Sequence, residues 1–186
     1  MILGIAGSGR PDSNSEHLLR LLLETARRGG AETRTVRLAE LQYGGCTGCG
    51  ACRNGAERCV LADDLTPVLA DTAAARALVL ATPIYYGYPC GPFKAYLDRW
   101  YAFRDAARSL RVPAGRLGVL ILTQGHPDPN GYPWTVQSLD KVLTSYGCDP
   151  RILVAAGVEE PGAAVGRADL EERARSLGET LAARLS

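Results

Sequence analysis

The sequence predicts an α/β fold: a doubly wound, five-stranded parallel sheet with helices on both faces. Five predicted strands alternate with five predicted helices, and crossovers between parallel strands are right-handed. Residues 77–82 (ALVLAT) and 117–123 (LGVLILT) are apolar throughout, as strands are when helices cover both faces of a sheet. Residues 1–20 read as a strand, a polar loop and a helix. We therefore expect the strand order 2-1-3-4-5.

Each element is bounded by a recognisable signal. The first helix starts near Ser15 and stops at Gly29, Asp63 or Asp64 caps the second helix, and Pro83 is expected to end the third strand. The expected strands cover residues 1–6, 33–38, 77–82, 117–123 and 151–156. The expected helices cover residues 15–28, 64–74, 93–103, 135–146 and 169–185.

Length and composition fit one globular domain over residues 1–186. The chain has 186 residues, 46% of them apolar and 22% charged, which is enough for a proper core. Its 21 basic and 20 acidic residues give a net charge of +1, so nothing indicates binding to nucleic acid or to an anionic membrane. No apolar run resembles a membrane span or a secretory signal. We expect a cytoplasmic protein.

The loop after the first strand is expected to hold a phosphate. Gly7 and Gly9 let the backbone approach a ligand, and the following helix start offers free N–H groups and a positive dipole end. The side chains that could add hydrogen bonds or charge are Ser8, Arg10, Ser13, Asn14 and Ser15. Neither GxGxxG nor GxxxxGK[ST] is present, so a single terminal phosphate fits best. The alternative is an ordinary Ser/Asn helix cap behind a buried strand.

Two further loops should converge with this one at the carboxyl edge of the sheet. Residues 83–88 (PIYYGY) mix aromatic side chains with Pro and Gly, a combination suited to a flat heterocycle such as a flavin. The tyrosines could instead shield the sheet end or a dimer contact. Residues 123–126 (TQGH) follow the fourth strand, and His126 could donate a proton or be an exposed loop histidine.

Residues 42–61 form a long loop that carries four of the six cysteines. Their spacing, C-x2-C-x2-C-x6-C, matches the Cys₄ ligation of a [4Fe-4S] cluster. The four are Cys46, Cys49, Cys52 and Cys59. The alternatives are a zinc site and a metal-free thiol or disulfide loop. Because the loop has few apolar residues, a bound metal is expected to order it. Cys90 and Cys148 are expected to be small buried hydrophobic residues.

The chain resembles the NADPH-dependent FMN reductase group of flavodoxin-like proteins, and within it the iron-sulfur flavoproteins. The motifs that carry the resemblance are GSGRPDSNSEHLL, CTGCGACRNGAERCVLADD, ATPIYYGYPCGPFKAYLDR and the TQG loop. It implies that the phosphate of FMN, rather than FAD, binds at Ser8, Arg10, Ser13, Asn14 and Ser15. It implies that the isoalloxazine and ribityl chain lie against Pro83, Ile84, Tyr85, Tyr86 and Gly87. It implies that Thr123, Gln124 and Gly125 close the other side, and that the cluster ligands are Cys46, Cys49, Cys52 and Cys59.

The activity that the resemblance implies is that of an FMN-dependent oxidoreductase. NAD(P)H would reduce the flavin, which would pass a hydride, or single electrons through the cluster, to a quinone, a nitro compound, ferredoxin or a similar acceptor. Tyr85 and His126 are the candidates for protonating an acceptor. The rival interpretation is an electron carrier between protein partners without its own small-molecule substrate. The segment Tyr88-Pro89-Cys90 is bulkier than in relatives, which affects the expected size of the substrate pocket.

Aromatic residues near the carboxyl edge of the sheet predict self-association. They represent more aromatic surface than a monomer normally leaves in water. These residues are Tyr85, Tyr86, Tyr88, Trp100, Tyr101 and Trp134. We expect a homodimer or a homotetramer with the flavin near the subunit boundary.

Overall fold

A computed structural model describes residues 1–185 and shows a six-stranded sheet with α-helices packed on both sides. The strands are β1 (Ile2–Ala6), β2 (Thr33–Arg37), β3 (Ala77–Tyr85), β4 (Tyr88–Pro89), β5 (Arg116–Thr123) and β6 (Cys148–Ala155). The helices are α1 (Asn14–Arg28), α2 (Leu65–Ala74), α3 (Gly91–Asp98), α4 (Pro133–Ser145) and α5 (Ala168–Leu185). Within residues 1–185, none of these helices combines the length and apolarity needed to cross a membrane.

Five of the strands run parallel, in the order β2-β1-β3-β5-β6, and β4 adds an antiparallel strand beside β3. The five parallel strands have the expected order, but the prediction of a five-stranded sheet omitted the short antiparallel strand β4. Pro83 does not end β3, which continues to Tyr85. The reason is that β1 pairs with β3 only as far as Ala81, so the missing N–H of Pro83 costs no ladder bond to β1.

A tight hairpin makes the sixth strand. Tyr85 pairs with Tyr88, and the two residues between them both have positive φ angles, 52° at Tyr86 and 82° at Gly87. Positive φ at both central residues is the type I′ geometry that joins antiparallel strands. Glycine adopts this conformation freely, whereas tyrosine rarely does. A two-residue strand behind such a turn has no periodicity for sequence reasoning to detect.

The hydrophobic core forms two layers, one on each face of the sheet. Leu3 and Ile5 of β1 face the layer covered by α2, α3 and α4, while Ile2 and Ala6 face the layer under α1 and α5. Alternate residues of a strand point to opposite faces, so both sets must be apolar. This is the doubly wound arrangement, and it leaves the ends of the strands free to form a site.

The chain after α3 differs from the expected helix. The helix ends at Asp98 and is followed by a 3₁₀ segment, Arg99–Phe103. Trp100 in that segment is fully buried, with ring contacts to Tyr96 and Tyr146 at centroid distances of 5.8 and 5.5 Å. It belongs to the core, which corrects its assignment to an exposed aromatic surface.

Candidate functional site

A cavity of about 730 Å³ opens at the carboxyl ends of β1, β3, β5 and β6. The three loops expected to converge do meet there. From the expected site residues, its walls include Ser8, Arg10, Ser13, Asn14, Pro83, Ile84, Tyr85, Tyr86, Thr123, Gln124, Gly125 and His126. The other wall residues are Asp12, Tyr132, Val158, Glu159 and Pro161. The loop after β6 thus supplies a fourth wall, which sequence reasoning did not predict.

Serine hydroxyls surround the start of α1. Ser13 is the N-cap, and its Oγ accepts a hydrogen bond from the main-chain N–H of Glu16 at 3.5 Å. Ser15 is fully buried behind it, with its Oγ 2.9 Å from the Ser13 Oγ. The Ser8 Oγ accepts from the Arg10 main-chain N–H at 3.1 Å. Ser8 and Ser13 face the cavity, whereas Ser15 supports Ser13 from behind.

Asn14 joins the first loop to the fourth wall. Its amide nitrogen donates to the carbonyls of Val158 and Glu160 at 3.1 and 2.8 Å, and its Oδ1 accepts from the Ala164 N–H at 2.9 Å. Because an amide nitrogen carries only two hydrogens, none remains for a phosphate. Any contribution of Asn14 to an anion at the helix start has to come from its main-chain N–H.

Gly7 is required by close packing. A Cβ built on it would lie 2.8 Å from the Phe93 Cβ and 3.0 Å from the Ala81 carbonyl oxygen. The Gly7 carbonyl also accepts a hydrogen bond from the Cys90 thiol at 3.0 Å. A Cβ on Gly9, in contrast, meets no atom of residues 1–185 within 4 Å. Packing at the end of β1 therefore requires glycine at position 7, whereas position 9 has room for a side chain.

Arg10 contacts two walls of the cavity. Its guanidinium carbon is 5.9 Å from the centre of the Tyr85 ring, and its Nη1 lies 3.5 Å from the Glu159 carbonyl oxygen. The side chain is exposed and so remains free to move toward an anion. It is the positive charge that the cavity offers beside the hydroxyls of Ser8 and Ser13.

The hairpin tip is tied to α4 rather than to the cavity. The Gly87 carbonyl accepts from the Trp134 Nε1–H at 3.2 Å and from the Thr135 hydroxyl. Gly87 is not among the cavity walls, and the Tyr86 side chain is fully exposed. The hairpin thus supplies Pro83, Ile84 and Tyr85 from a rigid base.

The loop after β5 places an amide and an imidazole at the cavity. Gln124 is buried, and its Nε2 donates to the carbonyls of His126 and Asp128 at 3.2 and 2.7 Å. Its Oε1 accepts no hydrogen bond within residues 1–185, which is unusual for a buried amide oxygen unless a ligand or water binds there. The His126 Nδ1 lies 3.1 Å from the Asp128 main-chain nitrogen and 3.3 Å from the Asp128 carbonyl oxygen, so Asp128 engages this ring nitrogen in either tautomer.

The four clustered cysteines border a second, small hollow away from the cavity. Cys46 and Cys49 are exposed, Cys59 is half-buried and Cys52 is buried, and all are free thiols. Burial raises the pKa of the Cys52 thiol, and the neighbouring thiols raise it further. Within residues 1–185, no group of three or more His, Cys, Asp or Glu side chains has a geometry that could hold a metal ion. Cys90 and Cys148 are buried, as expected.

Arg99, on the 3₁₀ segment after α3, organises the cysteine loop. Its buried guanidinium donates to the Cys59 Sγ, to the carbonyls of Gly44 and Leu61, and to both carboxylate oxygens of Asp63. Burial works against ionisation of Asp63, but these hydrogen bonds and the Gly44 N–H hold the pKa of that carboxyl below its usual value. Arg99 therefore joins the two ends of this loop through contacts within the chain, and ordering by a bound metal stays a prediction.

Sequence reasoning missed Arg99 because its partners lie 36 to 55 residues away along the chain. The available signal was an arginine directly before the apolar and aromatic run WYAF. Arginine is almost never fully buried unless it is paired.

Comparisons with known proteins agree with the geometry. Residues 1–149 match the model of a protein family described as NADPH-dependent FMN reductase. An iron-sulfur flavoprotein of Methanosarcina thermophila is 32% identical over 146 residues, which cover 78% of this chain and 74% of that protein. An iron-sulfur flavoprotein of Methanocaldococcus jannaschii is 26% identical over 97% of this chain and 95% of that protein.

Among solved structures, an NAD(P)H:quinone oxidoreductase from Methanothermobacter marburgensis superimposes with a TM-score of 0.77. The match covers 97% of this chain and 98% of that one at 18% identity, so it establishes a shared fold.

Proposed function

The chain belongs to the NADPH-dependent FMN reductase family, and from this premise we propose that it is an FMN-dependent oxidoreductase that uses NAD(P)H to reduce a small acceptor. A quinone or a nitro compound is the acceptor class proposed. The observation that carries the proposal is the convergence of a serine-rich helix start, the PIYYG segment and the TQG loop on one cavity. Its volume of about 730 Å³ lies within the range of cofactor sites.

The residues of the cavity fit FMN. Ser8, Ser13 and Arg10 would hold its phosphate at the start of α1, with Ser15 keeping Ser13 in place. No second phosphate-binding fingerprint exists in the sequence, which favours FMN over FAD. The Oε1 of buried Gln124, which accepts no hydrogen bond within residues 1–185, would be available to a donor on FMN.

The side chains have separable roles in the proposed reaction. FMN, when bound, supplies the hydride chemistry. Pro83 to Tyr86 on one side and Thr123 to Gly125 on the other would position the ring and limit access of water, with Gly87 fixing the hairpin tip to α4. His126 would present its Nε2 to an acceptor, because Asp128 engages its Nδ1. Tyr85, whose ring lines the cavity, is the second candidate proton donor.

The cysteine loop fits a [4Fe-4S] cluster in its donor chemistry. Four free thiols border one hollow, and two sulfurs already accept N–H bonds, Cys46 from Gly48 at 3.4 Å and Cys59 from Arg99 at 3.0 Å. Hydrogen bonds to sulfur are typical of iron-sulfur sites. We propose that Cys46, Cys49, Cys52 and Cys59 hold a cluster that would supply single-electron transfer.

An electron carrier between protein partners is the second candidate function. Cys46 and Cys49 are exposed, so a cluster in this loop would lie close to the surface, where a ferredoxin or another redox protein could reach it. Steady turnover of NAD(P)H with a small acceptor as the only oxidant would favour the enzyme over the carrier.

Self-association remains part of the proposal. Tyr86 is fully exposed, Tyr88 is 69% exposed and Trp134 is 54% exposed, and all three lie beside the cavity mouth. A homodimer or homotetramer would cover them. Free thiols at all six cysteines fit the reducing cytoplasm that we propose as the location. Light scattering at micromolar concentration should give at least a dimer, and a monodisperse monomer would contradict this.

The activity is tested by anaerobic stopped-flow absorbance on protein loaded with FMN. Addition of NADH or NADPH should bleach the flavin band, and a quinone should restore it over repeated cycles. Reduction by neither nucleotide would overturn the proposed oxidoreductase, whereas reduction without reoxidation by quinones or nitro compounds would favour the carrier.

A further inference from the structure

Arg99 uses all of its hydrogen-bonding capacity on one loop. The guanidinium has five N–H donors. The Nε–H donates to the Cys59 Sγ at 3.0 Å, Nη1 to the Gly44 carbonyl at 3.0 Å and Asp63 Oδ2 at 2.7 Å, and Nη2 to the Leu61 carbonyl at 3.1 Å and Asp63 Oδ1 at 3.2 Å. Each acceptor lies between residues 44 and 63. All five N–H donors of Arg99 therefore bind this one segment.

The Arg99 guanidinium joins the two ends of the segment that carries the four cysteines. Gly44 precedes the first cysteine, while Leu61 and Asp63 follow the last, so the two ends of the segment meet at one guanidinium. The Arg99 side chain is 0% exposed and that of Asp63 17%, so water competes little for these bonds. Fixing both ends of a loop removes much of the entropy that a later ligand would otherwise have to remove.

Arg111 makes a second, different contact with the same loop. Its Nη1 donates to the Cys52 carbonyl at 2.8 Å and to the carbonyls of Ala102 and Arg104, both at 3.2 Å. These three acceptors are carbonyl oxygens rather than sulfurs. Arg111 thus holds the loop main chain, whereas Arg99 also donates to a sulfur.

We propose that Arg99 is a positioning residue that preforms the cysteine loop for its cluster and, through the Nε–H bond to Cys59, makes the bound cluster easier to reduce. This inference rests on the proposed function of the loop as a cluster site. A donor on a ligand sulfur stabilises the more negative, reduced state more than the oxidised state, because the N–H dipole offsets the added electron's charge. A purely structural arginine would order the loop without this effect on the potential.

The test compares Arg99→Gln and Arg99→Lys with Arg111→Gln as the matched control. Each protein is reconstituted anaerobically with iron and sulfide, and the cluster potential is measured by spectroelectrochemical titration. In both Arg99 variants we expect the ratio of reduced to oxidised cluster at a fixed potential to fall about tenfold, a shift of about 59 mV for one electron. Arg111→Gln should keep the wild-type potential. An unchanged potential in both Arg99 variants would overturn the proposal that the hydrogen bond to the Cys59 sulfur makes the cluster easier to reduce.

The positioning role is measured separately on metal-free protein. Limited proteolysis within residues 42–64 should be about tenfold faster in Arg99→Gln than in the wild type, because the segment loses the buried guanidinium and keeps only the hydrogen bonds of Gln42 and Gly44 to Asp63 and Asp64 between its ends. FMN affinity reports on the rest of the fold and should not change. Equal protection of the loop in both proteins would overturn the preforming role. If Arg99→Gln fails to fold, Asp63→Asn takes its place here. It weakens the contact between the guanidinium and the end of the loop, and it retains the hydrogen bond from the Arg99 Nε–H to the Cys59 sulfur.

Failure of the cluster proposal gives a different pattern. Wild-type protein that takes up no iron would remove the cluster, and with it the claim about the potential. The proteolysis comparison would still decide whether Arg99 orders the loop.

Discussion

The cavity at the sheet edge and the cysteine loop are built in different ways. The cavity is assembled from the ends of four parallel strands and the start of α1, so its geometry follows from the whole fold. The cysteine loop contains no regular structure beyond the 3₁₀ turn Ala51–Arg53. Its ends are joined by the buried side chain of Arg99 and by hydrogen bonds of Gln42 and Gly44 to Asp63 and Asp64. A site held by many elements should tolerate single changes better than a loop for which one buried side chain makes five of the hydrogen bonds that hold it.

Loss of one cysteine should separate the two regions most completely. In Cys49→Ala we expect iron to be lost and FMN to be retained, because Cys49 borders the hollow and not the cavity. Iron and flavin analysis of anaerobically purified protein measures this. Cys148→Ala is the control. Cys148 is buried at the start of β6, away from the cysteine loop, so this variant protein should retain its iron. Joint loss of iron and FMN in Cys49→Ala would show that the regions depend on each other.

The opposite separation is expected at the phosphate loop. Replacing Ser8 and Arg10 together by alanine should weaken FMN binding by about 2–4 kcal/mol, which is about 30- to 1,000-fold, if each phosphate contact has its usual strength. Fluorescence titration of FMN measures the affinity, and iron content should stay at the wild-type level. An unchanged affinity would contradict the assignment of the phosphate to this loop.

Asn14 tests how the fourth wall of the cavity is held. Asn14→Ala removes three hydrogen bonds to the loop after β6, so unfolding should become easier by about 2–3 kcal/mol. Urea unfolding measures the change, and proteolysis near residues 158–164 should locate it. Asn14→Asp keeps the acceptor for Ala164 but places a carboxylate oxygen against the carbonyls of Val158 and Glu160, so it should destabilise the protein at least as much as alanine. Equal stability of all three proteins would mean that the wall is held by other contacts.

The two glycines of the first loop make the smallest and most local comparison. Gly7→Ala places a methyl group against Phe93 and the Ala81 carbonyl and should cost about 1–3 kcal/mol, as overpacking usually does. Gly9→Ala points into open space and should change the free energy of unfolding by less than about 0.5 kcal/mol. Chemical denaturation distinguishes them. Equal effects at both positions would contradict the packing that we describe at Gly7.

The parts that sequence predicted are those carried by local patterns. The apolar runs of β3 and β5 and the capped start of α1 each lie within a short stretch, and physical rules connect each pattern to its structure. Converging strand ends then explain why three of the cavity walls were expected.

The parts that sequence did not predict depend on distant partners. Asn14 bonds to residues about 150 positions away, and Arg99 reaches partners across 36 to 55 positions, so neither role leaves a local trace. Trp100 was placed at the surface because aromatic content alone does not reveal which face a residue occupies. The strand β4 was missed because its turn depends on a tyrosine with positive φ, which no propensity favours.

The most direct test of two independently built sites is analysis of FMN and iron in the same anaerobic sample, for the wild type and for Arg99→Gln. The account predicts one FMN per chain in both proteins, with about four iron atoms per chain in the wild type and clearly fewer in the variant. Wild-type protein without FMN, or a variant that loses FMN in proportion to its iron, would contradict the account.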